Sequence, residues 1–135
     1  MKKITYRTEQ DSLGKVKVPK NALYGAQTQR AIENFKISAD VLPPEFIEAL
    51  ASIKAACAMA NSKSKLLSIR KAKTIFSSAM DIHKNIEKYY EQFPIDIYQT
   101  GSGTSTNMNM NEVLSNIVSK KIKINVHPND DINKS

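Results

Sequence analysis

The sequence predicts a mainly α-helical domain with a short β-like arm at its N-terminal end. Three observations carry this prediction. Apolar residues recur every three or four positions in three long stretches after residue 43. A brief two-residue alternation precedes them. The 135 residues include only four Gly and five Pro, too few for a loop-rich or all-β design.

The arm comes first in the chain. Val16 and Val18 alternate with Lys15 and Lys17 between Gly14 and Pro19, which predicts a short strand or hairpin turning at Asp11-Ser12-Leu13-Gly14. Tyr24 to Phe35 is read as a short helix. Pro43 and Pro44 open the next element, since proline is tolerated in a first helical turn. There Phe46, Leu50, Ile53, Cys57 and Ala60 form one stripe on an Ala-rich helix that closes near Asn61-Ser62. A second stripe, Ile69, Ala72, Phe76, Ala79, Ile82, Ile86 and Tyr90, predicts one long helix capped by Ser68 and stopped at Phe93-Pro94. Met110, Val113, Leu114, Ile117 and Val118 predict a third. It ends near Lys120 or Lys121, whose charge suits the negative end of the helix dipole.

Composition narrows the function. At 41% hydrophobic, the chain has the apolar content and the length of one folded domain. The net charge of +7 is spread over scattered lysines, without the interleaved aromatic residues of a stacking platform, so nucleic acid is not the expected partner. The single cysteine, Cys57, excludes an internal disulfide and an iron–sulfur cluster, and its place on the stripe predicts a buried small hydrophobe. Met1-Lys2-Lys3-Ile4 begins a charged stretch without the apolar region of a secretory signal, and no apolar run is long enough to cross a bilayer. The expectation is a soluble cytoplasmic protein without a membrane partner.

Two polar segments do not fit a helical core. Gln99-Thr100-Gly101-Ser102-Gly103-Thr104-Ser105-Thr106-Asn107 precedes the third helix. Its glycines permit close backbone approach, and its hydroxyls, with the unpaired N–H groups of a helix start, make an anion site. Composition alone fits an ordinary Ser/Thr-capped turn slightly better. No Gly-Lys-Ser/Thr follows, so this is not a nucleotide-binding P-loop. The second segment is His127-Pro128-Asn129-Asp130-Asp131. A His with nearby Asp can orient a tautomer, bind a metal or cap a turn. His83 has no carboxylate motif around it, so a metal site is not expected. Glu112 reads as solvent-facing or dipole-pairing, Met108 and Met110 as packing residues, and Tyr89 and Tyr90 as core and rim.

Together these segments match a family. Thr100-Gly101-Ser102-Gly103-Thr104, followed by Asn107-Met108-Asn109-Met110-Asn111-Glu112-Val113, resembles the first signature of class II fumarases. These are metal-independent enzymes that interconvert fumarate and L-malate. His127 to Ser135 resembles the segment that follows. Asp11-Ser12-Leu13-Gly14, Tyr24-Gly25-Ala26-Gln27-Thr28-Gln29-Arg30 and Asn34-Phe35 match in order.

The resemblance implies that residues 1–135 form a fumarase-type N-terminal domain, with the central helical bundle and C-terminal domain absent. It implies that Ser102, Gly103 and Thr104 hold a substrate carboxylate, that Thr100 shapes their loop, and that Asn107 belongs to the same set. His127, Pro128, Asn129 and Asp130 would form an accessory dicarboxylate site. Ile124 stands where the family often has Arg, which weakens that second site. The family's base-bearing loop is absent, so no catalytic residue is assigned in this chain. No cofactor or metal is implied. Family active sites combine segments from three subunits of a homotetramer, so the isolated chain is expected to be inactive. Two alternatives stand beside this reading. Aspartate ammonia-lyases share the layout but usually carry Ala-Gly-Ala-Gly-Thr and an Asn where this chain has Thr100, Ser102 and His127. The other is a non-catalytic helical interaction or anion-binding module.

Overall fold

A computed structural model describes residues 4–134. Met1 to Lys3, part of the segment read above for a signal, and Ser135, the last residue of the second motif, lie outside the described residues. The arm is an antiparallel hairpin of β1 (Tyr6–Asp11) and β2 (Gly14–Pro19). Val16 and Val18 are buried and their lysine neighbours exposed, as the alternation predicts. Gly14 closes the turn at φ +112°, a region open to glycine, and Asp11 Oδ1 accepts from Leu13 N at 2.9 Å.

Five helices follow: α1 (Ala26–Asn34), α2 (Pro44–Lys63), α3 (Ile69–Lys84), the single turn α4 (Ile86–Tyr89) and α5 (Thr104–Ile122). Ser68 caps α3 by accepting from Lys71 N. The long stripe through Tyr90 is not one helix. The chain leaves helical geometry at Asn85 (φ −132°, ψ 44°), and α4 and a 3-10 turn at Tyr90–Gln92 complete the run. Asp81 at the end of α3 holds this break, accepting from Asn85 Nδ2 at 2.8 Å and from the Tyr89 hydroxyl.

The stripe on α2 is displaced around the helix from the one the sequence predicts. Ile47, Ala51, Ala55 and Ala58 face the core, whereas Phe46 and Ile53 are exposed and Cys57 is half-buried. This helix is apolar on most of its surface, so periodicity does not fix its phase. Its small residues face α3, which packs against it and presents Ala72, Ile75, Ala79 and Ile82. Alanine on both sides lets the two backbones approach closely. On α3, likewise, Ile69 and Phe76 are exposed. Met110, Val113, Leu114 and Val118 of α5 are fully buried in the common core.

Glu112 joins the start of α1 to α5. It is buried and accepts from Gly25 N (2.9 Å), Gln27 N (2.8 Å), Thr28 N (3.1 Å) and Thr28 Oγ1 (2.6 Å). The expected dipole-pairing role is therefore met, but toward the N-terminus of α1. Gly25 leaves little room there: a Cβ would lie 2.7 Å from the end of the Glu9 side chain, which can shift, and 3.1 Å from the Glu112 carboxyl carbon, which is held in place. Arg30 completes the junction with a two-toothed contact to Asp11 (2.8 and 2.9 Å), which holds the Asp11 carboxyl below its usual range.

Candidate functional site

The signature loop lies ahead of α5, the helix most deeply rooted in the core. Gly103 takes the position before the first turn with φ +73°, a left-handed conformation that favours glycine. Helical bonding begins with Asn107 N to Gly103 O at 3.1 Å. Gln99 reaches across the loop to this first turn. Its Oε1 accepts from Thr106 N at 3.1 Å, and its Nε2 donates to the Thr106 hydroxyl. Gln99 thus acts as a cap from outside the helix. The N–H groups of Thr104 and Ser105 have no helical carbonyl to bond, as at any helix start.

Ser102 Oγ and Thr104 Oγ1 lie 2.9 Å apart, and both residues are exposed. Two hydroxyls and two backbone donors therefore crowd the positive end of a 19-residue helix. A carboxylate meets such a group well, because each donor is already in place.

An open cleft of about 400 Å³ lies beside this loop. Thr100, Ser102, Gly103 and Asn107 line one wall; Leu42, Phe46, Leu50 and Ile97 line another. The structure thus brings four of the five expected substrate-binding residues to one cavity. The fifth, Thr104, adjoins it through its hydroxyl contact with Ser102.

The second segment forms a different place. Pro128–Ile132 is one wide helical turn, with Ile132 N bonding His127 O and Asn133 N bonding Pro128 O. His127 Nδ1 accepts from Asn129 N and Asp130 N, both at 3.2 Å, so the imidazole caps its own turn. His127 N donates to Asp131 Oδ2 at 2.9 Å, and Asp131 also pairs with Lys71 Nζ at 2.8 Å. His127, Pro128 and Asn129 border a groove of about 430 Å³, and Asp130 is not among the residues that line it. The opposite wall carries Glu9, Asp11 and Glu112, and no Lys or Arg lines it among the described residues. Ile124 is exposed, so no cation replaces the family's arginine at that position.

One link joins the two segments. Asn133 Oδ1 accepts from Asn107 Nδ2 at 3.1 Å and from Lys54 Nζ at 3.0 Å. Sequence reasoning missed Lys54, Asn133 and the cap by Gln99. For Lys54 a signal existed: phased on Ala51, Ala55 and Ala58, the lysine falls on the inner face of α2.

Comparison with known proteins bears on this geometry. A family profile described as "Lyase" matches residues 14–135. A class II fumarate hydratase of Xylella fastidiosa is 52% identical over 128 residues, covering 95% of this chain and 27% of its own length. One from Mycobacterium tuberculosis is 50% identical over 130 residues, covering 96% of this chain and 27% of its own length. The crystal structure of class II fumarase from Schistosoma mansoni superposes with a TM-score of 0.91 at 39% identity, over 96% of this chain and 28% of that one. The chain thus spans 27% of the length of these two curated relatives. Both relatives carry the name of the hydratase, not of an ammonia-lyase. On the match across residues 14–135, the chain belongs to the lyase family, and within it the chain is similar to class II fumarate hydratases.

Proposed function

We propose that this chain is the N-terminal part of a cytoplasmic class II fumarate hydratase, adding water across the double bond of fumarate to give L-malate. Its contribution is a dicarboxylate-binding wall. One observation carries this: the Ser102 and Thr104 hydroxyls, 2.9 Å apart, sit at the exposed start of α5. Seen from malate, loss of a carbon-bound proton beside a carboxylate leaves a carbanion whose charge spreads into that carboxylate. Donors fixed at the loop stabilise the charge as it grows. Serine and threonine hydroxyls without an activating neighbour are poor bases, so proton removal falls to groups outside this loop. The active site is then shared among subunits of a homotetramer.

The accessory role passes to His127, Pro128, Asn129 and Asp130 in a weakened form. Their donors are largely spent within the turn, and carboxylates face them across the groove. The test is titration of the isotope-labelled chain with succinate and with fumarate, followed by nuclear magnetic resonance. Amides of residues 102–105 should respond first. A response confined to residues 127–131 overturns the assignment. Fumarate absorbance should stay constant in the presence of the isolated chain, and robust turnover would place a complete site within it.

A further inference from the structure

Lys54 is a buried lysine with no carboxylate. Its residue is 6% exposed, and among the described residues it takes part in no ion pair. An ammonium in such a place is costly unless an anion completes it. Its polar contact is Asn133 Oδ1 at 3.0 Å. That same oxygen receives Asn107 Nδ2 at 3.1 Å, and Asn107 lines the cleft beside the carboxylate loop.

The chemistry of lysine fixes the sense of this chain of contacts. An ammonium only donates, so Asn133 must turn its carbonyl oxygen toward Lys54. Asn107, meeting the same oxygen, must present its amino group. The orientation of both amides therefore follows from the one lysine. Asn107 keeps one N–H and its carbonyl oxygen for other partners.

We infer that Lys54 is a positioning residue of the carboxylate loop: through Asn133 it fixes the Asn107 amide at the cleft wall and sets a buried positive charge behind it, so that the cleft selects small dianions. The inference rests on the dicarboxylate reading given above. The loop itself supplies only neutral donors, and Lys54 adds the charge that a dianion needs. Burial holds the Lys54 ammonium below the usual lysine range, against a smaller opposing effect from Cys57 one turn along. A dianion in the cleft offsets this by favouring the charged form.

The experiment uses the 135-residue chain with succinate as the dianion and acetate as the monoanion control. Loop amides report binding, and the Lys54 side-chain carbon beside the nitrogen reports its protonation. Saturating succinate should raise the Lys54 titration midpoint. Lys54→Met should weaken succinate roughly tenfold or more while changing acetate little. Lys54→Arg, which keeps the charge, should recover part of the loss, and Lys73→Met, which removes an exposed lysine, should not matter. If the loop responds to succinate but the Lys54 midpoint stays fixed, or folded Lys54→Met binds as the parent does, the role of Lys54 is wrong and the loop assignment stands. If the parent chain's loop gives no response to succinate, the dicarboxylate reading fails and this inference falls with it. The midpoint measurement needs no variant, so it decides the matter even where Lys54→Met does not fold.

Discussion

The loop before α5 and the turn after it are built from similar polar residues, yet one leaves its donors open and the other uses them up. At the loop, the Ser102 and Thr104 hydroxyls contact each other and face solvent, and the N–H groups of Thr104 and Ser105 have no helical carbonyl. At the turn, His127 Nδ1 absorbs two backbone donors, while Asp131 absorbs His127 N and the Lys71 ammonium. Their surroundings differ too. The loop stands at the positive end of a long helix, with Lys54 linked to it through Asn133 and Asn107. The turn faces a groove edged by Glu9, Asp11 and Glu112. A count of hydroxyls, amides and histidines does not tell these two regions apart. The donors left unpaired do.

The largest effect expected is on turnover, in a full-length protein carrying this domain. Ser102→Ala should cost about a hundredfold, since losing one preorganised donor to a growing anion typically costs about 3 kcal/mol. Thr104→Val, which keeps the shape and deletes the hydroxyl, should behave alike. His127→Ala should do less, because it removes a turn cap rather than a ligand contact. Steady-state kinetics with fumarate and malate compare the three. If His127→Ala is the most damaging, the contrast between the regions is inverted.

The next effect is on stability, at the junction where α5 meets the start of α1. Gly25→Ala places a methyl group against a Glu112 carboxylate held by four donors. Overpacking of this kind costs about 2 kcal/mol, a fall in Tm on the order of 5–10 °C for a domain of this size. Glu112→Gln should be comparable, because it trades a charge at the α1 N-terminus for a neutral amide and leaves one of those donors facing an amino group. Thermal melts followed by circular dichroism check both. A melt unchanged by either substitution would show that α1 docks on α5 without this carboxylate.

Much of the fold was legible because several elements announce themselves locally. The hairpin has its Gly14 turn and its Val16/Val18 alternation, α3 has Ser68, and α5 has a single strong stripe. The phase of α2 was not legible. Phe46, Leu50 and Ile53 are large residues on one side, but the buried face is Ile47 with the smaller Ala51, Ala55 and Ala58. That choice depends on the partner helix, which no local pattern contains. The break at Asn85 was hidden for a related reason, since Asp81 and Tyr89 hold it through side chains. At the candidate site, Ser102 and Thr104 were singled out through motif resemblance. Lys54 and Asn133 escaped because their contact spans 79 positions in sequence. Glu112 was visible as a charge, but its partners on α1 lie more than eighty positions earlier.

The smallest effect expected concerns the ion pair that ties the second segment to α3. Lys71 Nζ meets Asp131 Oδ1 at 2.8 Å, with both side chains partly shielded. Burial alone would raise the Asp131 pKa, but the Lys71 contact and the His127 N–H outweigh it, and the net shift is downward. A carboxyl whose pKa is lower folded than unfolded stabilises the fold above its unfolded value. That contribution is lost as pH falls from there through the lower folded value. Asp131→Asn should therefore cost about 1 kcal/mol near neutrality, the usual scale for a partly exposed pair, and the difference from the parent should shrink below about pH 4. Lys71→Met should show the same pH dependence, since it removes the partner that lowers the carboxyl. Denaturant melts at several pH values measure this, and a double variant tests whether the two losses are one interaction. Because the pair anchors only the turn, succinate binding at the loop should be unchanged in either variant. A loss at pH 7 that persists undiminished in acid would assign the effect to packing rather than to the charge on Asp131. A fall in loop binding would show that the turn supports the site through the Asn133 link.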